Sequence, residues 1–334
     1  VLLYQVGSFF EVYGLSNKND KVVENTDIIE YGKVANLSVV KKKATYNNLD
    51  VLMAGFNENQ LYIKYLDKLV DNGFTVIVYT QKKTPTQITR ELDKIYSPGT
   101  YYTYENDTLS NNIICIWFDT VRHINIKNDN LVVGISMLNI HTGKTLFYQY
   151  ETENTHNPNS YDDLERFLSI HHPKEIVFLS QFNNDRINDI IHYINIQCES
   201  IHIINLSKNN ESKNNENNNT LMLSAIRCME QVYQKAIMEK YYPNIDIDIL
   251  MYNLYNYTTS FQSLCYLLEY VNRHNSKLVL NIEEPIFENN SENMLLANHS
   301  LKQLNIIQDE NFKGKYSSVL NMLNNCSTNM GKRL

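Results

Sequence analysis

Apolar residues recur at helical spacing between Leu61 and Val70, where Leu61, Tyr65, Leu66, Leu69 and Val70 fall on one face. Asn57 stands where an N-cap belongs, and Gly73 can end the helix in a left-handed turn. FTVIVY (74–79) then reads as a buried strand, and SPGT (97–100) as a turn in which Pro98 fixes φ and Gly99 permits a positive one. Residues 1–108 therefore predict a mixed α/β domain.

The pattern repeats in another form over 112–206. IICIWF, LVVGISML and KTLFYQY predict three successive strands, the last two joined through NIHTG. YDDLERFLSIHH puts Leu164, Phe167 and Leu168 on one helix face. EIVFLS, NNDRINDIIHYI and IHIINL follow as strand, helix and strand. The order βββαβαβ predicts a hairpin sheet continued by parallel strands. Residues 207–220 are Asn-rich and nearly without hydrophobes, which predicts a disordered linker. From 221 the period turns helical. LMLSAIRCMEQVYQKAIMEKYY stops before Pro243, YTTSFQSLCYLLEYVNR is similar, and YSSVLNMLNNCS begins another helix. Residues 221–334 thus read as the start of an all-helical domain, and the fold class as multidomain α/β plus all-α.

Composition narrows the function classes. No run of about 18 apolar residues occurs, so no membrane-spanning helix is expected. The N-terminus shows neither a basic region nor a small-residue cleavage site, which points to an intracellular, non-secreted protein. The missing initiator Met suggests a piece of a longer chain. The five cysteines lack CxxC spacing, which argues for free thiols rather than zinc ligands or disulfides. A net charge of −7 opposes indiscriminate nucleic-acid binding. Residues 1–108 are nearly neutral, with 12 basic and 13 acidic side chains, so a local basic patch is compatible with them.

Several motifs invite chemistry. HTGKT (141–145) looks like the end of a phosphate loop, but Leu138 stands where the leading glycine is needed and the segment lies between strands. A hairpin turn is the better reading. Asp119, with Asp163 and Glu165, could begin a two-metal nuclease site, but no acidic residue ends a later strand. His171-His172 fits a helix C-terminal cap better than a ligand pair. Lys41-Lys42-Lys43, the densest basic run, reads as a strand-end charged turn or as a phosphate contact.

GSFFEVYG (7–14) is the sharpest signal. Alternation buries one of Phe9 and Phe10 and exposes the other. An exposed Phe can wedge between base steps from the minor groove and kink DNA. Phe9 and Glu11, at i and i+2, share one side of an extended strand. One could stack on a base while the other accepts a hydrogen bond from its edge.

Five segments in order resemble the MutS family of DNA mismatch-recognition proteins. VLLYQVGSFFEVYG resembles its G-x-F-[YF]-E segment, and LMAGFNENQLYIKYLDKLVDNGFTVIVYTQ its M-A-G segment followed by a helix and a strand. IYSPGT, LVVGISMLNIHTGK, and LKQLNI with YSSVLNMLNNCSTNMGKRL are similar to the family's P-G-T turn, connector start and lever opening. The chain departs from the pattern at Ser8, Phe10 and Phe56-Asn57, where an acidic residue, Tyr and Ile-Pro are usual. These departures suggest a divergent, viral or organelle-type member.

The resemblance implies a mismatch-recognition domain at 1–108, a ribonuclease-H-like connector at 112–206 and a truncated lever domain at 221–334. It places the family's Phe-x-Glu pair on Phe9 and Glu11, with Phe9 stacking on the mispaired base, Glu11 hydrogen-bonding it and Phe10 in the core. Glu11 beside phosphates would need a raised pKa or a compensating donor. The implied partners are double-stranded DNA with mismatches or small loops, a second MutS-like subunit in a homodimer or heterodimer, and a MutL-like protein. ATP and Mg²⁺ are expected for the full-length protein, with no catalysis and no cofactor in this span. The compartment, whether cytoplasm (a host's, if viral), nucleus or mitochondrion, stays open. Two other readings are a metal-dependent nuclease and a MutS-like recombination protein without mismatch reading.

Overall fold

The computed structural model describes residues 1–17, 27–83, 88–101, 111–122, 129–155, 157–194, 198, 200–206, 216–288, 298–308, 314–328 and 331. The chain forms two compact units, residues 1–101 with 273–275, and residues 102–272 with 276–334.

In the first unit the chain runs β1 (Leu2–Val6), β2 (Phe9–Ser16), α1 (Ile28–Ala35), β3 (Val40–Tyr46), β4 (Leu49–Asn57), α2 (Leu66–Val70), β5 (Val76–Lys83) and β6 (Ile88–Tyr96). The strands make one sheet in the order β3-β4-β2-β1-β5-β6. β1 and β5 are parallel, and the other neighbours are antiparallel. Alternation divides the sheet's faces. Leu3, Phe10, Val12, Leu52, Ala54, Phe56, Val76 and Val78 point inward and join Ile28 and Tyr31 of α1 and Leu66 and Leu69 of α2 in one core. Phe10 and Glu11 are paired with Phe56 and Gly55 of β4, so consecutive residues face opposite sides.

The segment from Asn57 to Val70 forms as the spacing predicts, with a tighter start and a wider middle. Asn57 accepts a hydrogen bond from the Asn59 N–H at 3.1 Å and caps a short 3₁₀ turn. A π turn over Leu61–Tyr65 precedes α2 and sets the Tyr65 ring on Phe56, with centroids 4.1 Å apart. All five apolar positions are buried. Gly73 has φ of 80° and ends the segment. β5 starts at Val76 rather than Phe74, because the Phe74 N–H is still bonded to the Leu69 carbonyl.

The second unit is built on β7 (Asn112–Val121), β8 (Asn130–Asn139), β9 (Thr145–Glu153), α3 (Asp162–His171), β10 (Glu175–Ser180), α4 (Asn184–Ile194) and β11 (Ser200–Asn205). α5 (Glu216–Arg227), α6 (Gln231–Tyr241), α7 (Ile247–Tyr255), α8 (Thr258–His274), β12 (Ile286–Phe287), α9 (Asn298–Gln303) and α10 (Val319–Leu323) follow. The sheet order is β11-β10-β7-β8-β9-β12. β7, β8 and β9 are antiparallel, and β10 and β11 continue the sheet in parallel, as the element order predicts.

Both faces of this sheet are covered. Ile114, Ile116, Phe118 and Phe178 pack with Leu164 and Phe167 of α3 and Ile187 and Ile190 of α4. On the other face, Ile113, Cys115, Trp117 and Val177 share a core with Ala225, Ile237, Leu254, Phe261 and Leu264 of α5 to α8. α8 lies so close that a Cβ on Gly134 of β8 would sit 2.3 Å from the Ser260 nitrogen. Gln149 of β9 accepts from the Thr259 and Ser260 N–H groups at 3.0 and 3.1 Å, satisfying the first turn of α8.

Four sequence expectations change here. The helices expected to open a separate domain at 221 instead complete the core of the sheet, whose apolar second face needs a cover. The linker expected over 207–220 yields to α5 from Glu216, and 207–215 lie outside the described residues. The helix expected over 221–242 breaks at Cys228–Glu230, where the Gln234 side chain donates to the Cys228 carbonyl at 2.8 Å. The part expected to be all-helical adds a strand, β12, which pairs in parallel with β9. Residues 102–110, which the sequence leaves as a polar boundary between the first two parts, and the closing KRL (332–334) lie outside the described residues.

Candidate nucleic-acid interface

The first unit holds Phe9 at the start of β2, directly after a two-residue hairpin loop in which Val6 pairs with Phe9. Gly7 has φ of 64°, the conformation a tight hairpin asks of its first loop residue. Three other segments secure this loop. The Gly7 N–H donates to Gln81 Oε1 at 3.0 Å, and the Gln81 N–H donates to Gln5 Oε1 at 2.7 Å. Gln5 Nε2 donates to Glu58 Oε2 at 2.5 Å, and the Glu58 N–H donates to the Ser8 carbonyl at 2.9 Å. The Gly7 N–H and the Ser8 carbonyl are therefore spent on fixing the loop.

Phe9 is 47% exposed and Phe10 is 5% exposed. The alternation thus resolves with Phe9 outward and Phe10 against Phe56, with ring centroids 6.2 Å apart. Glu11 and Tyr13 follow Phe9 on the outward face. Tyr4 of β1, the partner of Glu11, and Tyr79 of β5 continue that face, with ring centroids 6.0 Å apart. The Arg90 guanidinium lies over Tyr4 at 4.7 Å, and its Nε donates to the Gln5 carbonyl.

Glu11 sits in a built environment. Lys42 Nζ of β3 donates to Glu11 Oε2 at 2.8 Å, and the Tyr13 hydroxyl donates to the same oxygen. Lys42 Nζ also reaches the Tyr13 hydroxyl at 3.0 Å and lies over its ring at 4.8 Å. Among the described residues none donates to Oε1. Gly55 stands opposite Glu11 on the intervening strand, and a Cβ there would lie 3.3 Å from Glu11 Cγ. Burial alone would raise the Glu11 pKa, but the hydrogen bonds from Lys42 and Tyr13, with the charges of Lys42 and Arg90, hold it below the ordinary carboxylate value. The same hydrogen bonds raise the Lys42 pKa. An ionised carboxylate is an acceptor only.

The basic run lies inside edge strand β3, where a strand-end turn was expected. Alternation sends its three lysines to different places. Lys41 pairs with Asp50 at 3.2 Å, Lys42 with Glu11, and Lys43 is exposed. Tyr13, Arg90, Gly55, Gln5 and Gln81 were not singled out from the sequence. Tyr13 was within reach, since it extends the Phe9–Glu11 alternation by one step.

The other candidates separate. HTGKT is the β8–β9 hairpin turn, and its N–H groups are consumed locally. His141 and Thr142 donate to Asn139 Oδ1, and Gly143 donates to the Asn139 carbonyl at 2.9 Å. The turn does not fit a nucleotide phosphate. Asp119 accepts from the Thr120 N–H, and Asp163 pairs with Arg166. His171 pairs with Glu288 at 2.7 Å, while His172 is the left-handed cap of α3. Among the described residues, no group of three His, Cys, Asp or Glu side chains could hold a metal ion, and no helix is long and apolar enough to cross a membrane.

Residues 1–105, which contain this hairpin and its supporting strands, match the family model described as MutS domain I. The chain carries a MutS domain I. The likeness to MutS-named proteins extends beyond that domain. A putative DNA mismatch repair protein, a MutS homolog of Acanthamoeba polyphaga mimivirus, is 25% identical over 100% of this chain and 30% of its own length. DNA mismatch repair protein MutS of Caldanaerobacter subterraneus is 23% identical over 81% of this chain and 27% of its own. The mitochondrial MutS homolog of Sarcophyton glaucum is 23% identical over 100% of this chain and 35% of its own. The chain spans about a third of the length of these curated relatives.

Proposed function

We propose that this MutS domain I reads mispaired or unpaired bases in double-stranded DNA through Phe9 and Glu11. Phe9 enters the minor groove as an aromatic wedge, and Glu11 Oε1 accepts a hydrogen bond from the edge of the base on which Phe9 stacks. The carrying observation is the fixed exposure of Phe9 beside an ionised carboxylate. A mismatch costs less to unstack and kink than a paired step, so such a wedge finds deformable sites rather than a base sequence. Lys41 and Lys43, outside the Glu11 pair, are the candidates for backbone contacts.

The strand order of the second sheet, three antiparallel strands continued by two parallel ones, supports a ribonuclease-H-like connector. The full-length protein would work as a MutS-like dimer with a MutL-like partner. ATP and Mg²⁺ would be held by residues other than the HTGKT turn.

The test compares the full-length protein's affinity for a duplex with one G·T pair or one unpaired T against the matched duplex, at fixed salt, for wild type and Phe9→Ala. A preference that disappears in Phe9→Ala is expected. Equal affinity for all duplexes in the wild type would overturn mismatch reading and favour a role in recombination.

A further inference from the structure

We propose that Lys42 is a positioning residue for mismatch reading, holding the Glu11 carboxylate beside Phe9 instead of contacting phosphate. The proposal rests on the mismatch reading above and adds a residue to it.

Three observations converge. Lys42 Nζ lies 2.8 Å from Glu11 Oε2 and 3.0 Å from the Tyr13 hydroxyl, which donates to the same oxygen. The Glu11 side chain is only 14% exposed and that of Lys42 36%, so the pair is partly withdrawn from water, and its attraction is less screened than that of a surface pair. Gly55, opposite Glu11 on β4, leaves room for the Glu11 side chain in this position, since a Cβ there would press on Glu11 Cγ. Both donors meet Oε2, and among the described residues none donates to Oε1, which keeps its acceptor capacity for a base edge.

The chemistry needs such a partner. A carboxylate carried into a minor groove meets phosphate charge, which favours its protonated form. A protonated Glu11 donates and would select a different base edge from an ionised one. The groups facing Glu11 are Lys42 from β3, Tyr13 from its own strand, Tyr4 opposite it on β1 and the charge of Arg90 from β6. Of the two cations, Lys42 makes the direct contact.

A phosphate-binding lysine and a positioning lysine predict different data. Losing a phosphate contact weakens matched and mismatched duplex alike and lowers the salt slope by about 1. Losing a positioning cation lowers the mismatch-to-match ratio and leaves the slope in place. The experiment measures that ratio and the slope for full-length wild type, Lys42→Met and Lys42→Arg between pH 5.5 and 8. Lys42→Met should lose about tenfold of the ratio, in line with removal of a charged hydrogen-bond partner. What ratio is left should become pH-dependent, whereas the wild type stays flat. Lys42→Arg should keep most of the ratio. An unchanged, flat ratio in Lys42→Met, or a uniform loss with a smaller slope, overturns the proposal while mismatch reading stands. No preference in the wild type overturns both. A melting curve for each variant separates these effects from misfolding, and Arg rescue is the outcome a misfolded strand would not give.

Discussion

Lys42 reaches Glu11 from 31 positions along the chain, and the glycine of the M-A-G segment lies on the strand between them. Burial works against the Glu11 carboxylate, and the Lys42 and Tyr13 hydrogen bonds hold its pKa below the ordinary value all the same. The carboxylate and its counter-ion belong to different strands of one sheet, so the ionisation of Glu11 and the stability of this edge are linked.

That linkage has a defined pH sign. The folded-state pKa of Glu11 lies below its ordinary value, so the native state binds fewer protons than the unfolded one in the carboxylate range. The contribution is present at neutral pH and is lost as pH falls from the ordinary carboxylate value, about 4.3, through the lower folded one. Denaturation of wild type and Glu11→Gln across that range should show their stability difference shrinking toward acid. A difference that grows toward acid would contradict the ionised assignment.

The two adjacent phenylalanines should respond in opposite ways. Phe10→Ala removes a ring packed on Phe56 and should cost about 3–5 kcal/mol by denaturant unfolding. Phe9→Ala truncates an exposed ring and should change stability by no more than about 0.5 kcal/mol. Its effect belongs in the mismatch-to-match ratio.

Gly55→Ala tests the space beside the Glu11 side chain. The new Cβ would lie 2.6 Å from the Phe10 carbonyl oxygen and 3.3 Å from Glu11 Cγ. Overpacking of this kind costs about 1–3 kcal/mol. Beyond that loss, mismatch preference should fall more than affinity for matched duplex, as binding measured on both substrates would show.

Gly134→Ala tests the cover of the second sheet. The added Cβ would meet the backbone of Thr259 and Ser260 within 2.5 Å, so α8 must move off β8. The Gln149 contacts to the start of α8 and the 2.6 Å Ser136–Ser263 hydrogen bond move with it. A loss of at least about 1–3 kcal/mol is expected, with hydrogen exchange rising in α8 and β8 together. Exchange confined to α8 would mean that the helix is not part of that core.

Local spacing carried much of this protein. The helical stretch before Gly73, the strands β7 to β11 and the turn nature of HTGKT were legible because each depends on residues a few positions apart, where periodicity and φ preferences act. The similarity to the MutS family was also legible, from short motifs in order. The tertiary structure decided what no local rule reaches. It settled Phe9 outward and Phe10 inward, which alternation alone left open and the family resemblance implied, because pairing with Phe56 fixes which side of β2 meets the core. It gave Lys42 to Glu11, because strand order brings β3 within one strand of β2. It joined α5 to α8 to the second sheet and added β12 at its edge, because an apolar face has to be covered by whatever packs on it. Period and turn chemistry are properties of a segment, whereas the partner of a side chain depends on register and strand order, which are set only when distant segments meet.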